Sequence, residues 1–394
     1  MYKLRFFSLQ KTQYLIKLIG MKKGYFRSIF IILIFFVVIL YPWVMMSVGV
    51  EDNISGVEEK ISIEDVNTTN IDKYIEQNFP GREFLVRLTN QIKISLFKFE
   101  SIGNLVLNGD VIFGTESLDY FLHGAHDMTN DEMNEFVLKL EKLNTILKNK
   151  KKTLIIAITP SKPRYRKEYT FSDELMNLFG SDSKIRPYDM FKNRTKYMNL
   201  NVFDYVEYIN THKEIQLDKV PLYYNGSHHW AVYQANKLTM PLVKYIEKTA
   251  NVDLMEIDVK ATPSQIGGTY PDNDLVSLLN VFKKSNEKFY DPVVEYTSVE
   301  SSFPNVLIRG GSFLAQLALP YVLVGLDNKV TILSNKICFY DRFAKQKEFD
   351  TYEELNLDKE LKDYDVVMLE INELNFYNAS FGFLDYLLEN GDKF

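Results

Sequence analysis

The period of the apolar positions changes several times along this chain of 394 residues. Residues 131–152 place an apolar stripe at helical spacing, and Thr129 or Asn130 can cap its start. TLIIAIT (153–159) follows as a continuous apolar run of strand length that ends at Pro160. A strand without polar alternation is typical of a parallel sheet covered on both faces. This stretch therefore predicts a helix packed against a buried parallel strand.

Similar short apolar runs recur toward the C-terminus and predict further buried strands, at 201–206, 305–310, 329–335 and 365–371. Helical patterns lie between them, including one near 351–362. Alternating buried strands and helices favour an α/β fold of three layers, in which helices cover both faces of a mainly parallel central sheet.

Before this region the pattern is more local. Two amphipathic segments, 71–79 and 84–97, predict helices on either side of FPGRE. NLVLNGDVIF (104–113) predicts a β-hairpin around an Asn-Gly-Asp turn. TPSQIGGTYPDND (262–274) is rich in turn residues and predicts a loop.

The N-terminal segment predicts a membrane anchor. Residues 1–28 carry seven positive charges and no acidic residue, and residues 29–50 are uncharged and long enough to span a bilayer. The positive-inside rule makes residues 1–28 a cytoplasmic tail, 29–50 a transmembrane signal anchor, 51–70 a polar stalk and 71–394 an extracytoplasmic domain. A cleaved signal peptide is the alternative, and the long basic segment without a small-residue cleavage site argues against it.

Charge and composition narrow the function classes. The formal net charge of −6 includes +7 from the basic tail, which leaves −13 for the remainder and argues against nucleic-acid binding. The single cysteine, Cys338, excludes an intrachain disulfide and a cysteine-based zinc site. No metal-spacing motif or glycine-rich phosphate motif occurs, so we expect neither a metal nor a cofactor. The 25 Tyr and 28 Phe suit sugar binding, although an aromatic core and a composition bias explain them as well.

The first stretch that could carry chemistry is LIRGGSFLAQLAL. A short strand ends at Gly310-Gly311, Ser312 follows, and a helical pattern begins. Ser312 would lie at the carboxyl end of a strand, where open α/β sheets hold their sites. Its N–H, with that of Gly311, could stabilise an oxyanion, as in a serine nucleophile elbow. A plain glycine turn capped by serine explains the same residues.

The second stretch is YYNGSHHWAVYQANKL, for which we expect a helix from about His228. A histidine at the start of such a helix can act as general base for a serine. The alternative is a histidine packed beside Trp230, with Ser227 as an ordinary helix cap. A metal pair is a weaker interpretation, because adjacent histidines do not readily bind one ion.

Six motifs, taken in order, resemble the SGNH-hydrolase-like proteins of alginate O-acetylation (the AlgJ/AlgX type) and the related bacterial DHHW proteins. They cover roughly residues 70–375 and are FPGRE (79–83), NLVLNGDVIFG (104–114), LIIAITPSKPRYR (154–166), YYNGSHHWAVYQAN (223–236), IGGTYPDND (266–274) and VLIRGGSF (306–313). The resemblance implies an SGNH-hydrolase-like fold and acetyl transfer to a polysaccharide hydroxyl by a Ser-His-Asp triad. It also implies a membrane-bound O-acyltransferase (MBOAT type) as acyl supplier.

Carried over by position, the resemblance makes Ser312 the nucleophile and His229 the general base, and it places the orienting acid at Ser227. Arg82 and Lys162 also lie in family motifs, and we expect structural roles for both. Two positions depart from the family pattern, since Ser227 and Gly311 stand where the family has Asp. Loss of the triad acid costs roughly 10⁴ in turnover in a serine protease. We therefore weigh three possible substitute acids, which are Asp272, Asp274 and Glu370.

Three functions remain open from the sequence. The first is a membrane-anchored extracytoplasmic O-acetyltransferase, or acetylesterase, acting on a cell-surface polysaccharide or exopolysaccharide of a bacterium. The second is a catalytically silent polysaccharide-binding or assembly subunit, motivated by the missing Asp. The third is a structural membrane protein with a decayed site. Whether a carboxylate reaches His229 distinguishes the first from the second.

Overall fold

The described residues of the computed structural model form two compact units. They comprise a few residues between 28 and 44 and the ranges 62–79, 81–97, 101–124, 128–182, 184–252, 256–265, 268–282, 286–296, 305–314, 316–317, 330–333, 338–341, 344–348, 351–354 and 364–391. One unit spans Met1–Phe97 with Asn280–Phe282, and the other spans Lys98–Leu279 with Lys283–Phe394.

The first unit contains the two predicted N-terminal helices, α1 (Ile71–Gln77) and α2 (Arg82–Phe97). Within it, the Phe84 ring lies 5.4 Å from the Phe282 ring, and Arg87 Nη1 donates to the carbonyl of Val281 at 3.1 Å. No helix within the described residues combines the length and apolar composition that crossing a bilayer requires. Most of the predicted anchor 29–50, the tail before Ser28 and residues 51–61 of the predicted stalk lie outside the described residues.

The second unit contains a seven-stranded sheet, a three-stranded sheet and a two-stranded sheet. Its strands are β1 (Ser101–Ile102), β2 (Leu105–Asn108), β3 (Val111–Gly114), β4 (Thr153–Thr159), β5 (Val202–Asp204), β6 (Ile257–Pro263), β7 (Tyr290–Tyr296), β8 (Val306–Arg309), β9 (Val330–Leu333), β10 (Cys338–Asp341), β11 (Ala344–Glu348) and β12 (Val366–Asn372). The large sheet has the order β11-β10-β9-β8-β12-β4-β5. It is parallel from β9 to β5, and β10 and β11 extend it in antiparallel fashion.

The helices of this unit, some of which cover the two faces of the large sheet, are α3 (Thr115–His123), α4 (Asn130–Asn149), α5 (Lys162–Tyr165), α6 (Lys167–Thr170), α7 (Asp173–Phe179), α8 (Pro187–Thr195), α9 (Tyr205–Thr211), α10 (Lys213–Gln216), α11 (Val232–Lys237), α12 (Thr239–Ala250), α13 (Asp274–Leu279) and α14 (Phe383–Glu389), with 3-10 segments at Tyr352–Glu354 and Phe376–Gly382. Alternate residues of β4 point to opposite faces. Leu154 and Ile156 join the core under α4, α8 and α14, whereas Ile155 and Ala157 join the core under α9, α11 and α12. The predicted three-layer arrangement around a mainly parallel sheet is therefore present.

Most of the local predictions are confirmed. Thr129 caps α4 through a capping box with Glu132. The hairpin β2–β3 turns at Asn108–Asp110, with Gly109 at φ +60°. The predicted loop 262–274 is wrong at both ends, because β6 extends to Pro263 and α13 begins at Asp274. Of the helix predicted near 351–362, the described part is the 3-10 segment Tyr352–Glu354.

Candidate active site

Ser312 lies just beyond the carboxyl end of β8, on the exposed side of a short glycine turn. The turn is built against the neighbouring strand β12. A Cβ at Gly310 would lie 2.4 Å from Glu370 Oε2 and 2.6 Å from Glu370 Cβ, so only glycine fits there. The Gly311 N–H donates to Glu370 Oε2 at 2.7 Å. The predicted position of the serine at a strand end is therefore confirmed.

The histidine motif forms a loop that ends before the next helix. Helix α11 begins at Val232, so the expectation of a helix from about His228 is wrong. The reason is that the N–H groups before the helix have partners outside it, since the His228 N–H donates to Asp274 Oδ1 and the Ala231 N–H to the Leu222 carbonyl, at 2.7 and 2.8 Å. The Val232 N–H then donates to Asp272 Oδ1 at 2.9 Å at the start of the helix. Trp230 is fully buried and packs edge-on against Tyr205, with ring centroids 5.4 Å apart. Trp230 thus anchors the loop in the core.

A buried lysine holds the same loop from beneath. Lys162 Nζ donates to the carbonyls of Ile112, Asn225 and Ser227 at 2.6, 2.6 and 2.7 Å. Three acceptors match the three N–H bonds of an ammonium group. Burial lowers the pKa of Lys162, and the positive charge of Arg166 lowers it further. The structural role expected for Lys162 is therefore present, as a tie between the hairpin and the histidine loop.

His229 bridges the serine and an aspartate. His229 Nε2 lies 2.8 Å from Ser312 Oγ, and His229 Nδ1 lies 2.6 Å from Asp274 Oδ2. Because an ionised carboxylate can only accept, Nδ1 carries the hydrogen and Nε2 accepts from the serine hydroxyl. The side chains of His229 and Asp274 are 7% and 11% exposed, whereas Ser312 is open to solvent. The three residues form a hydrogen-bonded chain from a buried carboxylate to an accessible hydroxyl.

The side chain that hydrogen-bonds to His229 Nδ1 is that of Asp274, whereas the Ser227 hydroxyl makes no contact with the ring. The Ser227 hydroxyl donates to the carbonyls of His229 and Tyr224, at 2.8 and 3.3 Å. It therefore braces the loop backbone and does not orient the imidazole ring, so its assignment to the acid position is wrong. Asp274 Oδ1 accepts from the His228 and Leu275 N–H groups, at 2.7 and 2.8 Å. With His229 these donors satisfy both oxygens of the carboxylate.

Gly226 makes this arrangement possible. A Cβ at Gly226 would lie 2.2 Å from Val276 Cγ2, so a side chain there would push α13 away. The Gly226 carbonyl also accepts from the N–H groups of Leu275 and Val276, at 3.1 and 3.2 Å. The first turn of α13 is thereby held against the histidine loop, with Asp274 directed at the ring.

The other two acids considered from the sequence lie elsewhere. Asp272 caps α11, and burial raises its pKa to about 7. Glu370 contacts Gly311 and the Thr159 hydroxyl rather than His229. Because Glu370 already accepts the Gly311 N–H, the expected oxyanion role of Gly311 is wrong in this arrangement. The Ser312 N–H, by contrast, donates to no described residue and remains available for an oxyanion.

His228 occupies a different environment from His229. Its Nδ1 lies 3.3 Å from Ser117 Oγ, and its ring packs edge-on against Phe313. Burial lowers the pKa of His228 to about 4, and the positive charge of a protonated His229 acts in the same direction. His228 is therefore neutral near pH 7 and forms part of the wall of the site.

Ser312 opens into a cavity of about 230 Å³. Amide, carboxylate and hydroxyl groups line this cavity together with aromatic rings. The lining residues are Glu116, Ser117, Tyr120, His228, Gly311, Ser312, Phe313, Asn372, Leu374, Asn375, Tyr377 and Phe381. Tyr120 donates to Glu116 Oε1 at 2.6 Å and packs against Tyr377 with ring centroids 6.3 Å apart. Rings with attached hydroxyl groups suit the C–H faces and hydroxyls of a sugar. His228, Gly311, Ser312 and Phe313 lie in the motifs described above, whereas the other lining residues come from two segments, 116–120 and 372–381, which carry no motif that points to this site.

Within the described residues, no group of three or more His, Cys, Asp or Glu side chains could hold a metal ion. The side chains that surround Ser312 suit acid–base and nucleophilic chemistry.

Comparison with protein-family models and with curated proteins gives no match. Among solved structures, the chain is similar to the O-acetyltransferase domain of Pseudomonas putida AlgJ, with 15% identity, 73% of this chain and 99% of that chain covered, and a TM-score of 0.41. The match to Bacillus cereus PatB1 covers 69% of this chain and 96% of the PatB1 chain at 12% identity, with a TM-score of 0.42. The match to Pseudomonas aeruginosa AlgX covers 71% of this chain and 66% of the AlgX chain at 15% identity, with a TM-score of 0.42. AlgJ and AlgX are the proteins whose motifs the sequence resembles.

Proposed function

We propose that this chain is a serine-dependent O-acyltransferase or acyl esterase that uses Ser312, His229 and Asp274. The observation that carries the proposal is the continuous hydrogen-bonded chain from Asp274 Oδ2 through the His229 ring to Ser312 Oγ. A nucleophile, a base and an orienting acid in this order are what acyl transfer through a covalent intermediate requires. The silent-subunit alternative loses its motivation, because Asp274 replaces the missing acid.

The reaction follows from the roles of these groups. Ser312 Oγ attacks the acyl carbonyl while its proton passes to His229 Nε2, and the Ser312 N–H stabilises the developing oxyanion. Collapse of the tetrahedral intermediate expels the donor's leaving group, which takes the proton from His229. An acceptor hydroxyl then attacks the acyl-serine and gives its proton to His229, which returns it to Ser312 Oγ. Water in place of the acceptor gives hydrolysis.

The acceptor that we propose is a cell-surface polysaccharide or exopolysaccharide, and the transferred group is acetyl. The order of the six sequence motifs and the aromatic and polar lining of the cavity support this choice. We also propose that residues 29–50 anchor the protein in a bacterial membrane with residues 71–394 outside, and that an MBOAT-type protein supplies the acyl group.

The primary test is hydrolysis of p-nitrophenyl acetate by the purified full-length chain and by the variants Ser312→Ala and His229→Ala. Each variant should lose roughly a thousandfold or more of the activity, because nucleophile and base act as one unit. Ser277→Ala, which removes an exposed hydroxyl outside the cavity, is the matched control and should retain full activity. Activity that persists in Ser312→Ala would exclude the proposed nucleophile.

Acceptor and location need their own measurements. Transfer of acetyl from an activated ester to an oligosaccharide, detected by mass spectrometry and lost in Ser312→Ala, would distinguish a transferase from an esterase. Protease treatment of intact cells should cleave the domain after residue 70 and leave the N-terminal segment in the membrane fraction. Protection of the whole chain would contradict the proposed orientation.

A further inference from the structure

Glu370 is a fully buried carboxylate directly behind the nucleophile turn. It lies in β12, in register with Ala157 of β4, and is 2% exposed. One oxygen accepts the Gly311 N–H at 2.7 Å, and the other accepts the Thr159 hydroxyl in a short hydrogen bond. Among the described residues, no Lys or Arg forms an ion pair with Glu370.

Burying a carboxylate without a cationic partner lowers the stability of the folded state, so the presence of Glu370 at this position needs an explanation. Glu373 lies three residues further along the chain, is equally buried and pairs with Arg164. Glu370 instead packs directly against the glycine turn, where its side chain leaves no room for a Cβ at position 310. The glycine turn and the Glu370 side chain therefore pack closely together, and the hydrogen bond from the Gly311 N–H to Glu370 determines the orientation of the Gly311 peptide.

The orientation of that peptide matters for the next residue. With the Gly311 N–H donated to Glu370, Ser312 lines the cavity and its hydroxyl lies 2.8 Å from His229 Nε2. Because Ser312 follows Gly311 directly, rotation of the Gly311 peptide would move the Ser312 N–H and hydroxyl, and with them this distance. Glu370 thus acts on the reacting atoms through the backbone.

The charge of Glu370 depends on the same two contacts. Burial raises the pKa of Glu370, and the hydrogen bonds from the Thr159 hydroxyl and the Gly311 N–H lower it. Because both donors favour the ionised carboxylate, the contacts that orient the Gly311 peptide also support the negative charge that receives them.

We propose that Glu370 is a positioning residue, which fixes the Gly311 peptide so that Ser312 presents its hydroxyl and N–H to the substrate. The inference rests on the proposed acyl-transfer function of Ser312. It goes beyond that function because Glu370 contacts neither the substrate cavity nor the imidazole ring.

The test compares Glu370→Gln with Glu373→Gln in the full-length chain. Both substitutions remove one charge from an equally buried site, but only the first touches the nucleophile turn. Hydrolysis of p-nitrophenyl acetate is measured per active serine, titrated with an activated phosphonate, so that loss of folded protein does not count as loss of rate. Glu370→Gln should lower kcat about 10- to 100-fold with little change in KM, because a neutral amide oxygen accepts the Gly311 N–H more weakly than a carboxylate does. Glu373→Gln should keep the wild-type kcat per titrated site.

A second readout does not require turnover. The rate at which the phosphonate labels the serine should fall in Glu370→Gln and should stay at the wild-type value in Glu373→Gln. If Glu370→Gln fails to fold, Glu370→Asp retains the charge and shortens its reach, so it should also lose kcat per titrated serine.

The outcomes separate the two proposals. Wild-type hydrolysis that does not depend on Ser312 would overturn the proposed function. Where hydrolysis depends on Ser312, a lower kcat per titrated serine in Glu370→Gln, absent from Glu373→Gln, supports the role of Glu370. An unchanged kcat together with an unchanged labelling rate in Glu370→Gln overturns it.

Discussion

Two loops meet at Ser312 and His229, and each is held by a buried charge of opposite sign. The serine turn is fixed by Glu370, whose carboxylate accepts a single backbone N–H, that of Gly311. The histidine loop is fixed by Lys162, whose ammonium donates to three carbonyls on two segments. The backbone supplies an N–H donor to Glu370 and carbonyl acceptors to Lys162. Neither of these charged side chains has an oppositely charged side chain in contact with it among the described residues. The difference in the number of bonds predicts that Lys162 mainly supports stability and Glu370 mainly the reaction.

The largest effect should come from the acid that joins the two loops. Asp274→Asn removes the carboxylate charge that faces His229 Nδ1. It should lower the rate of p-nitrophenyl acetate hydrolysis by a factor of about 10⁴, as loss of the triad acid does in a serine protease. Ser227→Ala is the matched comparison, because its hydroxyl contacts only backbone carbonyls, and it should cost less than about tenfold. Equal losses in the two variants would restore Ser227 as the orienting residue.

The next effect concerns the histidine loop. Lys162→Met removes a donor from three carbonyls, of which that of Asn225 still accepts the Ile112 N–H at 2.9 Å, and should lower the free energy of unfolding by about 3 kcal/mol. Urea denaturation followed by circular dichroism measures the change. Lys167→Met, at an exposed position five residues away, should change it by less than about 0.5 kcal/mol. A comparable stability for the two variants would show that Lys162 does not hold the loop.

The serine turn offers a smaller and more local test. Gly310→Ala would place a Cβ 2.4 Å from Glu370 Oε2, whereas a Cβ at Gly311 would lie at an ordinary 3.7 Å. We expect Gly310→Ala to cost about 1–3 kcal/mol of stability and to lower hydrolysis, because the turn must shift. Gly311→Ala should retain most of the activity, since it keeps the N–H that Glu370 accepts. Similar kinetics for both variants would contradict the tight fit between Gly310 and Glu370.

The smallest expected effect is a pH dependence at the cap of α11. Burial raises the pKa of Asp272 to about 7, so its contribution to stability is present at low pH and is lost as pH rises toward and through 7. Asp272→Asn keeps an acceptor for the Val232 N–H without the charge, and it should gain stability relative to wild type at pH 8 but not at pH 4. Thermal unfolding at both pH values measures this difference. Asp258→Asn, at an exposed position, should show none.

The local elements were predictable because their signals are local. The apolar run 153–159 is β4, and the stripe after Thr129 is α4. Ser312 and His229 were predicted as a pair because their motifs resemble those of the AlgJ/AlgX type, although the histidine was expected at the start of a helix and lies in a loop. The start of α11 was not, because the acid that caps it, Asp272, lies 40 residues later in the chain.

The sequence by itself determined the alternation of buried strands and helices, the glycine turn before Ser312 and the identity of His229 as the candidate base. Tertiary structure decided which acid serves that base. Ser227 is two residues away and turns toward the backbone, whereas Asp274 is 45 residues away and reaches the ring at 2.6 Å. The physical reason is that a hydrogen bond depends on where the folded backbone places its partners. The close packing of α13 on Gly226, which delivers Asp274, has no counterpart in periodicity or motif spacing.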